Sequence, residues 1–140
     1  MMHRLRTSFL TALVLVVSTL VVSVARAEDS TAIEYRVKAV CLYNFAKYVK
    51  WPDAAFAKAD TPINLCILGT NPFGELFNDV QGKTAQERPL QVSFLKSASS
   101  VADVQGCHLL YTTEKDTKAH SALIQSLKAK PILTVTESPD

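Results

Sequence analysis

Four short apolar runs, each closed by a turn signal and separated by helix-compatible sequence, most constrain the fold. They are Ile63-Asn64-Leu65-Cys66-Ile67-Leu68, Leu90 to Leu95, Cys107 to Tyr111 and Ile132 to Val135. Each is too short for a buried helix and has the length of a buried strand. Strands alternating with helices imply βαβ units, so the expected fold is α/β, a mainly parallel sheet flanked by helices.

The helices between these strands follow from caps and stops. Thr31-Ala32-Ile33-Glu34 has capping-box spacing and predicts a long N-terminal helix from Thr31 to about Lys50. Trp51-Pro52 ends it, because a residue preceding proline disfavours α geometry. Ile33, Val37, Cys41 and Tyr48 share one face, and Tyr35, Ala39, Leu42, Ala46 and Val49 share another, which predicts packing on both sides. Asn71-Pro72 predicts the start of a short helix over Phe73–Val80. Ser99 to Gly106 reads as one or two helical turns, and Lys118 to Ala129 as an amphipathic helix stopped before Pro131. After the last strand come only Glu137-Ser138-Pro139-Asp140. A parallel sheet needs both faces covered, so the expectation is a fold truncated at its C-terminus.

The first 27 residues stand apart. Arg4 and Arg6 precede an apolar run from Phe9 to Val24, and Ala25-Arg26-Ala27 places small residues at −3 and −1 of a cleavage site. This is the layout of a secretory signal peptide, and the run is shorter than the ~20 residues that span a bilayer. The expected organisation is a signal peptide at 1–27 and one α/β domain at 28–140. Loss of Arg4, Arg6 and Arg26 leaves 12 basic against 13 acidic side chains, so the net charge moves from +2 to −1. That balance gives no basic footprint for nucleic acid.

Chemistry-bearing patterns are sparse. Cys41, Cys66 and Cys107 in an oxidising compartment allow one disulfide with one thiol left over. There is no C-x-x-C or H-x-x-x-H pair, so no metal site is expected. Gly69-Thr70-Asn71-Pro72-Phe73-Gly74 has the spacing of a phosphate loop, but Glu75 and Leu76 stand where Lys and Ser or Thr are required. An ordinary strand-to-helix turn is the simpler reading. No G-x-S-x-G elbow occurs, and the carboxylates are scattered singly. The sequence therefore predicts no enzyme and no cofactor. Asn44, within Leu42-Tyr43-Asn44-Phe45-Ala46, reads either as a hydrogen-bonded structural amide or as a ligand contact. The stripe of Arg36, Tyr43, Lys47 and Lys50, with Trp51 at its end, is either a solvated face or a partner surface.

Glu34-Tyr35-Arg36-Val37-Lys38-Ala39, Tyr43-Asn44-Phe45-Ala46-Lys47-Tyr48-Val49 and Trp51-Pro52 together resemble the opening signature of the YfiR family of periplasmic proteins. Asn71-Pro72-Phe73-Gly74, Gly106-Cys107-His108-Leu109-Leu110-Tyr111 and Ile132-Leu133-Thr134-Val135 follow in the matching order. The resemblance implies Lys38, Asn44, Phe45, Trp51 and Pro52 as a structural motif, and a Cys66–Cys107 disulfide with Cys41 on the helix. It implies a non-catalytic domain that binds the periplasmic part of an inner-membrane diguanylate cyclase, opposed by an OmpA-like outer-membrane lipoprotein, with a homodimer as a further assembly. Family members continue past the last strand, which this chain does not. The alternative function is a small-ligand-binding module of an envelope sensor or transporter, with its pocket near Gly69 to Phe73.

Overall fold

A computed structural model describes residues 30–113 and 118–137. The signal-peptide reading lies outside them. Contacts divide the chain within its first helix, between Val37 and Lys38, and the sheet and its core belong entirely to the second part. Five strands form one sheet: β1 (Ile63–Leu68), β2 (Thr84–Ala85), β3 (Arg88–Leu95), β4 (Leu109–Thr112) and β5 (Leu133–Thr136). Their order is β2-β3-β1-β4-β5. β1 is parallel to both β3 and β4, and β4 is parallel to β5; only the two-residue β2 runs antiparallel. The α/β expectation with a mainly parallel sheet is met.

β1 lies in the middle because it can be buried on both faces, and it is: Ile63, Leu65, Cys66, Ile67 and Leu68 are all inaccessible. Alternation sends Cys66, Leu68 and Leu110 to one face. There they pack with Val104, Cys107, Leu123 and Leu127, drawn from a 3-10 turn (Val101–Val104) and a helix, α2 (Lys118–Leu127). Leu65, Ile67, Leu109 and Tyr111 point the other way, and the Phe73 ring meets Tyr111 at 4.9 Å. The first helix, α1, covers residues 30–48. It is tied to the second face by Lys38, which pairs with Glu137 at 2.7 Å, and Glu137 also accepts the Tyr111 hydroxyl.

Three expectations need correction. α1 is packed on one side only: Ala39, Leu42 and Ala46 are buried, whereas Val40, Cys41, Phe45 and Tyr48 are exposed. The face read as a second packing surface has no element of the described fold over it. Secondly, residues 73–80 make a run of tight turns instead of a helix. Gly74 sits at φ 54, outside right-handed helix space, and the bonds that follow are mostly three-residue steps, such as Leu76 N–H to Phe73 O and Asn78 N–H to Glu75 O. Thirdly, the hairpin partner β2 was not expected. Its turn residues Gln86 and Glu87 have φ of 52 and 64 without being Gly or Asn, so the usual hairpin signal is missing.

Candidate functional site

The residues singled out from sequence gather at the end of α1. On a helix turning 100° per residue, Asn44 lies two positions from both Leu42 and Ala46, and so points away from the face they bury. Asn44 is exposed. Phe45, on the shoulder of the buried face, is 38% exposed, and Tyr48 is 72% exposed. Of the expected partner stripe, Lys47 and Lys50 are exposed and Tyr43 is half-buried. Lys47 lies 5.5 Å from the Tyr43 ring and 5.4 Å from the Tyr48 ring, which draws the cation into an aromatic setting. Arg36 is exposed within the separate N-terminal part. The apolar exposures Val40, Phe45 and Tyr48, rimmed by Lys47, form the most distinctive surface of α1.

Trp51 turns inward instead. Its indole Nε1–H donates to His108 O at 3.0 Å, and its ring meets the His108 ring edge-on at 6.1 Å. Phe56 stacks on the other side of the imidazole at 4.5 Å, and the Arg88 guanidinium lies 3.8 Å above Phe56. The loop between α1 and β1 is thereby clamped over the edge of the sheet where β1 begins. Asn64 N–H donates to His108 Nδ1 at 3.1 Å, so the ring proton belongs on Nε2, which donates to Ala55 O at 3.2 Å. Burial pushes the imidazole's pKa below its ordinary value; the Ala55 bond opposes this, and Arg88 adds to it. A neutral imidazole so satisfied is a structural pin. The sequence placed His108 beside Cys107 without revealing this role, because every partner comes from a distant segment.

Cys66 and Cys107 are joined as a disulfide with Cα atoms 5.9 Å apart, and Cys41 is a free, exposed thiol. Among the described residues, no group of His, Cys, Asp and Glu could hold a metal ion, and no helix is long and apolar enough to cross a membrane. A cleft of about 370 Å³ opens at the opposite end of the sheet, lined by Gly69, Thr70, Lys96 and Thr113. It adjoins the loop expected to hold a pocket, yet Lys96 and Thr113 were not foreseen. The available signal was positional: each is the first residue after a parallel strand.

A family model described as YfiR/HmsC-like matches residues 35–140, from the first turns of α1 to the last residue. The chain belongs to the YfiR/HmsC-like family. No individually curated protein matches it. The YfiR/HmsC-like match takes in α1 from residue 35 onward, the Trp51–His108 clamp, the disulfide and all five strands. Within that span Lys38, Trp51 and Pro52 lie at structural joints, whereas Asn44 and Phe45 belong to the exposed flank.

Proposed function

We propose that this YfiR/HmsC-like protein is an exported regulatory binding protein. It restrains an inner-membrane diguanylate cyclase by binding its periplasmic part, and so limits cyclic di-GMP and biofilm formation. An OmpA-like lipoprotein of the outer membrane is the opposing partner on this reading. The observation that supports it is the family match over residues 35–140. The α1 flank of Val40, Phe45 and Tyr48 agrees with an output delivered by contact, since exposed aromatic side chains beside a cation are frequent anchors of protein interfaces.

The test is capture of an inner-membrane GGDEF protein by the full-length chain, with cyclic di-GMP measured after deletion of the gene. Capture and a rise in cyclic di-GMP are expected. Phe45→Glu with Tyr48→Glu should abolish capture and reproduce the rise in cyclic di-GMP while leaving the thermal midpoint unchanged, because neither side chain is in the core. A deletion strain with unaltered cyclic di-GMP would overturn the reading. The cleft at the other end of the sheet favours a second reading, as a small-ligand-binding module.

A further inference from the structure

The cleft has a definite place in the topology. From β1 the chain crosses to β3 on one side, then returns past β1 to β4 on the other. The carboxyl ends of adjacent strands whose connections leave in opposite directions cannot be closed by a single connection, and a crevice is left between them. Gly69 and Thr70 follow β1, Lys96 follows β3 and Thr113 follows β4. These are the residues that line the cleft, although they are far apart in sequence.

Its walls are held in place from within the fold. Gly69 turns the chain at φ 91, and its N–H donates to Leu95 O at 2.9 Å, which fixes the β1 exit against the end of β3. The Thr113 hydroxyl donates to Thr70 O at 3.3 Å, which fixes the β4 exit against β1. The cleft walls are therefore held by hydrogen bonds of the fold itself. Among the described residues the cleft's lining carries one cation, two hydroxyls and no carboxylate. At about 370 Å³ it lies at the lower end of the range for small-molecule sites.

We infer that this cleft is a binding subsite for the oxyanion head group of a small molecule, either a carboxylate or a phosphate ester. Lys96 Nζ supplies the charge and the Thr70 hydroxyl supplies a hydrogen bond, the Thr113 hydroxyl being committed to Thr70 O; a charge-assisted contact is the strongest that such a lining can offer. The inference does not depend on the cyclase reading, since it concerns the opposite end of the sheet from the Trp51–His108 clamp and needs no protein partner.

The experiment is NMR titration of the full-length chain with inorganic phosphate and, separately, with acetate. Saturable shifts are expected at the amides of Gly69, Thr70, Lys96 and Thr113 with at least one of the two anions. Lys96→Gln should weaken that binding by about tenfold or more, the worth of one charge-assisted hydrogen bond, and Lys96→Arg should retain it. Lys96 is exposed, so neither variant threatens the core. Absence of saturable shifts with both anions, shifts centred elsewhere, or binding unchanged in Lys96→Gln would each overturn the inference. Phosphate alone binding would assign the subsite to phosphate esters, and acetate alone to carboxylates.

Discussion

His108 has two ring nitrogens committed to two segments, and this gives the protein a pH dependence of known sign. Protonation would place a second ring N–H against the Asn64 N–H, setting donor against donor. The folded-state pKa lies below the ordinary value of 6.5, so above pH 6.5 the contribution is fully present. As pH falls below 6.5 the unfolded chain takes up the proton first, and stability declines until the folded-state value is passed. Urea midpoints measured from about pH 7.5 to about pH 5 should fall for the wild type. The fall should be shallower in His108→Gln, and parallel curves for the two proteins would refute the assignment. Trp51, the single tryptophan of the chain, offers a second residue-level test. Trp51→Phe keeps a ring against the imidazole but loses the bond to His108 O, a carbonyl that also accepts Leu133 N–H. A loss of about 1 kcal/mol is expected in denaturant unfolding, because the remaining bond spares that oxygen the full cost of isolation.

Among the elements, the β2–β3 hairpin carries the clearest conflict between local preference and use. Gln86 and Glu87 both occupy left-handed backbone, where side chains other than Gly and Asn are disfavoured. Gln86 compensates, because its amide donates to Ala46 O and Val49 O, each at 2.7 Å, and so satisfies carbonyls left open at the end of α1. Glu87→Gly should therefore raise stability by up to about 1 kcal/mol. Gln86→Gly should gain less or lose stability, since it frees the same backbone but removes the cap; equal gains in thermal melts would contradict this account. The same element shows why part of the fold could not be read from sequence. The apolar runs of β1 and β4 announce themselves, because burial dictates residue type along nearly their whole length. β2 has two residues and a turn without glycine, so its existence rests on what Gln86 and Arg88 reach elsewhere. Arg88 donates to Lys58 O, Ala59 O and Thr61 O, contacts that no local pattern encodes. On α1 the sequence shows two apolar faces but cannot show that only one is covered. The exposed flank was thus legible as residues and illegible as a surface, and Lys96 and Thr113 become neighbours only once strand order is known.

At the scale of the molecule, the disulfide joins the central strand to the start of β4 across 41 positions. Closing a loop of that length stabilises the fold by roughly 4 kcal/mol on the chain-entropy model. Cys66→Ala with Cys107→Ala should cost about 2–5 kcal/mol in denaturant unfolding, with part of that arising from the lost packing of two buried side chains. Non-reducing peptide mapping of protein isolated from the oxidising compartment should recover Cys66 linked to Cys107 and Cys41 unlinked. The strand order has a further consequence in time. β1 is complete by residue 68, yet its second neighbour does not end until residue 112. A chain emerging from its N-terminus therefore presents its most apolar strand with both hydrogen-bonding edges bare until β3 arrives, and with one edge bare while more than forty further residues are added. Pairings of this range form slowly, and an unpaired apolar strand is a template for neighbouring chains. The interval before β4 docks is when this protein is most exposed to misassembly, and a holdase that covers residues 63–68 would protect it most.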